Sequence, residues 1–155
     1  MSSAVNHIEY SLHPDVSAMT IGRDSALPFP VLQMHQVHDV HVAVIDNPDI
    51  TSEQLDGYDA MITNLRGLAI GVRTADCIPI LLYDPVNKAA AAVHSGWRGT
   101  VSKIIGKTVS KMQSIYASQS TDILAFIGPG ICVDCFQVGE DVALKFKEAG
   151  FDINS

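Results

Sequence analysis

"CIPILLYDPVNKAAAAVHSGWRG", from Cys77 to Gly99, is the stretch on which the architecture turns. Two apolar runs, "CIPILLY" and "KAAAAVH", flank "DPVN", and Asp, Pro and Asn are turn formers, so the segment reads as a β-hairpin. A symmetric loop of Asp84, Pro85, Val86 and Asn87 sets Tyr83 opposite Lys88 and, counting outward, Cys77 opposite His94. Directly opposed residues project to one face with Cβ atoms about 4.5–5.5 Å apart. A thiolate and an imidazole at that separation suit two chemistries, a shared metal ion or a Cys–His nucleophile pair. Gly96 and Gly99 let the chain turn away from the strand. Arg98 at this corner offers a fork of donors for phosphate or carboxylate, and the helix that follows presents an N-terminus that favours an anion. Trp97 either stacks on a flat ligand or fills the core, the plainer use of an indole.

Outward from the hairpin, "VHVAVID" (Val40 to Asp46) is β-branched and reads as a strand. "AMIT", "NLRG" and "LAIGVRTADC" read as strand, tight turn, strand, and "NPDITSEQLDGYD" as a turn with one helical turn after Thr51. Thr100 to Ala117 is the clearest helix, with Val101, Ile104, Ile105, Val109, Met112, Ile115 and Tyr116 on one face. "DILAFIG" is a strand closed by "GPG", and "EDVALKFKEA" a short amphipathic helix with Gly150 as its C-terminal cap. The first thirty residues carry the least signal; "LPFPVLQ" reads as extended because each proline disfavours helix before it. Strands in runs with helices set apart indicate an α+β fold, and 155 residues suit one domain over 1–155.

A catalytic zinc commonly has three protein ligands and one open position. "HQVHDVH" offers His35, His38 and His41. On a strand these alternate, so His35 and His41 point opposite to His38, which shares a face with Val40, Val42 and Val44. His38 is therefore the better candidate as a third ligand, although spacing alone does not select it.

The bulk composition narrows the partners. Lys and Arg number 10 against 17 Asp and Glu, for a net charge of −7, and no basic run exists, which argues against nucleic acid or an anionic membrane as a partner. "MSSAVNHIEYSLHPD" lacks a basic start and an apolar core, so no secretory signal is read there. Three cysteines make an odd count, consistent with a reducing cytoplasm. Oligomeric state is not legible.

"QVH", "TADC", "HSGWRGT" and "GPGI…CFQVG", in this order from about Met34 to Gly139, resemble the laccase-domain family, also called the YfiH-like or purine nucleoside phosphorylase family. The resemblance implies an αββα-type sandwich of mixed sheets, similar to cytotoxic necrotizing factor. It implies zinc, with copper as the alternative, held by His38, Cys77 and His94, which would also be the catalytic residues. It implies phosphorolysis of adenosine, inosine, guanosine and methylthioadenosine, with purine nucleoside and phosphate as small-molecule partners, and deamination of adenosine. Copper-dependent polyphenol oxidation and Cys–His amidase or peptidoglycan-editing chemistry are the alternatives. Against the family pattern the chain lacks an N-terminal insert with an Arg-Gly-Gly segment, of which Arg23 would be the remnant, and a C-terminal portion beyond "GFDINS".

Arg98, Arg73 and Gln36 are the candidates for substrate or phosphate binding. Asp76, beside Cys77, either orients a ligand or caps a turn, and Gln36 has the same choice. "DGYDAMITN" reads as scaffold. "CVDC" (Cys132 to Cys135) has C-x-x-C spacing, but no second such pair completes a four-sulfur zinc site. It precedes "FQVG" instead of opening a helix, so a structural use is the expectation; by the resemblance Cys135 would line the pocket.

Overall fold

Residues 6–153 are described in a computed structural model of the chain. Residues 1–5 and 154–155, which include the start of the segment read for a secretory signal and the last residues of "GFDINS", lie outside that description. An N-terminal hairpin, β1 (His7–His13) and β2 (Val16–Ile21), forms a two-stranded sheet. The second sheet holds β3 (Val42–Ile45), β4 (Ala60–Thr63), β5 (Ile78–Asp84), β6 (Ala89–Ser95) and β7 (Leu124–Ile127) in the order β3-β4-β6-β5-β7. Only β3 and β4 run parallel in it, so the sheet is mixed. A short 3-10 turn at Ser52–Gln54 lies between β3 and β4, where the sequence placed a helical turn. Helices α1 (Trp97–Val101), α2 (Ile104–Tyr116) and α3 (Glu140–Glu148) complete the chain. The α+β class with mixed sheets is the one expected.

The alanines of β6 are explained by what lies on them. Ala89, Ala91 and Val93 face one cluster, with Ala60, Ile62, Leu82, Ile104 and Met112, beneath α2. Ala92 faces the other, with Met61, Ala43, Ile45, Leu32, Met34 and Leu55. Alternate residues thus feed two cores, and small side chains let the helix approach a strand covered on both faces. β4 is buried at all four positions.

Four expectations need correction. The hairpin register is Asp84↔Ala89 and Pro79↔His94, not Tyr83 opposite Lys88 and Cys77 opposite His94. Asp84 belongs to the strand because its buried carboxylate accepts hydrogen bonds from the backbone N–H groups of Val86 and Asn87 (2.8 and 3.1 Å) and from the Asn87 amide (2.8 Å). The loop is therefore Pro85–Lys88, closed by Lys88 in the left-handed region at φ 55°. Because the shift is two residues, Cys77 stays on the face of His94.

Second, the expected strand over Leu68–Cys77 is an extended loop with one isolated bridge, Leu32↔Ile70. Its alternation is real, since Leu68, Ile70 and Val72 pack on the second core, but no strand pairs along it. Third, the long helix is two. Lys103 adopts φ 60°, and the chain bends so that Ile104, Thr108 and Met112 lie on the sheet while α1 stays at the end of β6. Ile115, expected on the buried face, is 48% exposed. Fourth, β3 is shorter than Val40–Asp46, and His38 precedes it in the left-handed region at φ 63°, so strand alternation does not govern His35, His38 and His41.

The hairpin of β1 and β2 is a further finding. Tyr10 stacks on Phe126 of β7 with ring centroids 3.6 Å apart, and Lys88 pairs with Asp15 at 2.5 Å, so the hairpin leans on the β5–β7 side of the sheet. Among the described residues no helix is long and apolar enough to cross a membrane.

Candidate metal centre

β6 carries His94 to the end of the sheet, where it is 3% exposed. Cys77 arrives from the bend immediately before β5, half-buried. His38 comes from the loop before β3 and is exposed. One ligand atom from each lies within 4.8 Å of the others, and this is the one cluster of three or more such residues among those described. Two donors bound at 2.0–2.3 Å to a tetrahedral ion sit about 3.3–3.8 Å apart, so the widest pair of the set must close by about an ångström to share one ion. The His38 and His94 rings meet edge to face, centroids 4.8 Å apart. Burial increases from His38 through Cys77 to His94, which leaves the open side of the cluster at His38.

Asp59 organises two of these three ligands. Its carboxylate is fully buried. It accepts from the backbone N–H groups of Val37 (3.1 Å), His38 (3.0 Å) and Asp39 (2.9 Å), which fixes the left-handed turn at His38. It also accepts from His94 Nδ1 at 2.6 Å. Burial by itself would raise the Asp59 pKa, but the His94 hydrogen bond and the three backbone donors outweigh it and hold the carboxyl below its usual range. A carboxylate on Nδ1 assigns the proton there and leaves Nε2 of His94 as the free donor atom, the arrangement that orients metal-binding histidines.

The third side of the site is built by close packing. Gly96 is buried, and a Cβ there would lie 3.1 Å from His38 Cδ2 and 3.2 Å from Cys77 Sγ. The "GPG" turn leans on the other flank: Ile131 N–H donates to the Asp76 carbonyl (2.9 Å) and Gly128 N–H to that of Pro79 (2.8 Å). A Cβ on Gly130 would meet the Asp76 carbonyl at 3.2 Å. Burial pushes the Cys77 thiol up, and the charges of Asp76 and Asp59 push it further.

Of the other candidates, the Gln36 side chain is committed to the Arg73 backbone, its Nε2 donating to the carbonyl and its Oε1 accepting from the N–H, both at 2.8 Å. This amide clasp ties the loop leading to Cys77 to the segment carrying His38. Arg73 and Asp76 are exposed. The Arg98 guanidinium, also exposed, lies 4.4 Å from the centroid of the half-buried Trp97 ring, and the Lys145 ammonium lies 5.3 Å from it. Trp97 is thus not a core residue. The anion site expected at a long helix N-terminus also changes, since the helix that follows Gly96 has five residues. His35 and His41 stay outside the cluster; His35 pairs with Asp56 at 2.5 Å, and the His41 ring meets the Gly57 carbonyl at 3.2 Å. Cys132 and Cys135 are exposed free thiols in a turn beyond the "GPG" segment.

In sequence Asp59 reads as scaffold. The signal that finds it is a carboxylate placed directly before a strand buried at every position, since a buried acid must be hydrogen-bonded. Gly96 gave no signal beyond its place in a turn.

Three comparisons place the chain among known proteins. Adenosine deaminase RL5 of an unknown prokaryotic organism is 45% identical over 125 residues, covering 77% of this chain and 47% of that protein. A purine nucleoside phosphorylase of Clostridium acetobutylicum is 36% identical over 154 residues, covering 99% of this chain and 64% of that protein. The hypothetical protein YfiH of Bacillus licheniformis superimposes with a TM-score of 0.73 at 26% identity, over 79% of this chain and 48% of that one. The chain therefore spans about half to two thirds of the length of these three proteins. The model of one family matches residues 19–154, and on that match the chain belongs to the family described as multi-copper polyphenol oxidoreductase laccase.

Proposed function

We propose that this chain carries the metal centre of a purine nucleoside phosphorylase that also deaminates adenosine, with zinc held by His38, Cys77 and His94. The observation that carries the reading is the Asp59–His94 hydrogen bond at the foot of a three-donor cluster, because it prepares Nε2 as a ligand atom. The names of the relatives, adenosine deaminase and purine nucleoside phosphorylase, supply the reaction class. A zinc ion bound there would act as a Lewis acid on a substrate or water oxygen. The chain's own residues do the rest. Asp59 holds His94 in one tautomer and fixes His38. Gly96 keeps the space between His38 and Cys77 open, and the Gln36 clasp fixes the loop that delivers Cys77. Arg98, stacked on Trp97, would hold the anionic end of phosphate, and Arg73 is the second cation for that role. Asp76 positions Cys77 through its backbone carbonyl, pinned by Ile131. The site belongs to a cytoplasmic protein with nucleoside and phosphate as its small-molecule partners.

Two other chemistries fit less well. A cysteine nucleophile needs a thiol whose pKa is lowered, and that of Cys77 is raised. A single His2Cys set suits one copper ion as well as one zinc, but an oxidase with several coppers needs more ligands than the one cluster among the described residues.

The test is incubation with adenosine and phosphate, followed by chromatography, alongside elemental analysis of protein purified without added metal. Near-stoichiometric zinc, release of adenine and formation of inosine are expected. Cys77→Ala and His38→Ala should lose metal and turnover together. Retention of both in Cys77→Ala, or oxidation of phenols by a copper-loaded protein that leaves nucleosides untouched, would overturn the assignment.

A further inference from the structure

Beyond the "GPG" turn the chain makes one tight turn that nothing in the metal centre uses. Cys135 N–H donates to the Cys132 carbonyl at 3.1 Å, and Phe136 N–H reaches the same carbonyl at 3.1 Å. A turn closed in this way brings the Cα atoms of its first and fourth residues within about 7 Å, inside the span that a disulfide bridges. Both thiols are free and exposed. They contribute nothing to either core, so packing does not account for the pair.

We propose that Cys132 and Cys135, which lie outside the His38–Cys77–His94 donor set, form a reversible dithiol–disulfide site in which Cys132 attacks and Cys135 resolves. The two sulfurs are not equivalent. The Cys135 thiol donates to Cys132 and, with the N–H groups of the turn, lowers the Cys132 pKa, while the same hydrogen bond raises that of Cys135. Such asymmetry separates an attacking thiolate from a resolving thiol. The co-reactant is a small-molecule disulfide. The Cys132 thiolate attacks one of its sulfurs, the small disulfide bond breaks, and one small thiol leaves with a proton. Cys135 then attacks the Cys132 sulfur of the mixed disulfide and releases the second small thiol. The protein loses two hydrogens and the small disulfide gains them.

This site does not depend on the nucleoside reading, and its test reads no turnover. The reduced chain is treated with bis(2-hydroxyethyl) disulfide near pH 7.5, quenched with acid and mapped by peptide mass spectrometry. The expected product is a peptide 2 Da lighter, with the bond between Cys132 and Cys135, restored by excess dithiol. Cys135→Ser should trap the mixed disulfide on residue 132, and Cys132→Ser should react at least tenfold more slowly at residue 135. Stable mixed adducts on the unaltered chain, a bond involving Cys77, or equal rates in the two variants would overturn the proposal.

Discussion

The Asp59 carboxylate is the point through which two of the three candidate ligands are held, one by its ring and one by its backbone. Asp59→Asn keeps the shape but loses the charge, and the amide cannot accept from all four donors. Each buried N–H left without its acceptor costs about 1–3 kcal/mol, and loss of a carboxylate that orients a metal-binding histidine costs about 10–100-fold in metal affinity. Zinc affinity measured by competition with a chelating dye should fall by that factor; an unchanged affinity would sink the role given to Asp59. Gly96→Ala probes the same site by size alone. Its φ of −71° and ψ of 171° are open to alanine, so the backbone does not object. The added methyl instead forces His38 and Cys77 outward by a few tenths of an ångström, which exceeds the roughly ±0.2 Å that a metal site accepts. Affinity should fall about tenfold or more while the melting temperature of metal-free protein stays nearly constant, and a large fall in that temperature would show that Gly96 serves the fold instead. At this scale the sequence exposed the chemistry-bearing types, since Cys and His at the ends of apolar runs stand out. It hid Asp59 and Gly96, whose importance lies in what approaches them in space.

At the scale of the element, the β5–β6 hairpin turns on Asp84. Burial opposes ionisation there, yet the Asn87 amide and the turn N–H groups lower its pKa. A carboxyl with a lowered native pKa contributes stability that is full above its unfolded pKa, near 4, and is lost as pH falls through its native value. Asp84→Asn should therefore cost about 1–3 kcal/mol at pH 7, and the gap from the parent should narrow below about pH 4. Parallel denaturant titrations at pH 7 and pH 3 measure this, and a gap that widens in acid would contradict it. A second element test concerns α2, which ends at Ala117 in the left-handed region at φ 57°. Glycine carries no Cβ penalty there, and Ala117 is exposed, so Ala117→Gly should stabilise by about 0.5–1 kcal/mol and raise the melting temperature by a few degrees. The hairpin was legible because apolar runs around turn formers have one reading. Its register was not, because "DPVN" does not reveal that Asp84 turns back to cap the loop from within the strand. The break at Lys103 was hidden for a similar reason, since helical periodicity continues through it and only the need to lay Ile104 on the sheet imposes the bend.

Across the whole molecule, stability is distributed unevenly. β4 and β6 lie between two cores, and Ala60, Met61, Ile62, Ala92 and Val93 are fully buried. From Thr121 to Ile153 no described residue is buried, and Ile127, Val133, Phe136 and Leu144 are all at least 40% exposed. β7 is an edge strand, held by β5 on one side and touched by Tyr10 of the N-terminal hairpin. α3 and the residues after it are held by a few ring contacts, among them the Lys145 ammonium 5.3 Å from the Trp97 centroid and the Lys103 ammonium 3.8 Å from the Phe151 centroid. The N-terminal hairpin is hard to read from sequence although Ile8, Tyr10 and Leu12 alternate with Glu9 and Ser11 before "HPD", because the run is short and buries little, Ile8 being 54% exposed. Local opening follows buried apolar contact, so amide exchange should order these regions. Amides of β4 and β6 should exchange only through global unfolding, and those of α3 at least a hundredfold faster, with β7 between them. Because α3 meets that corner through the Lys145–Trp97 contact and opens locally, metal binding at His38, Cys77 and His94 should slow exchange in β6 and α1 far more than in α3. Equal protection of α3 and β6 would mean that the C-terminal third is held by contacts stronger than those described, and the division of the molecule into a firm sheet and a lightly held flank would fall.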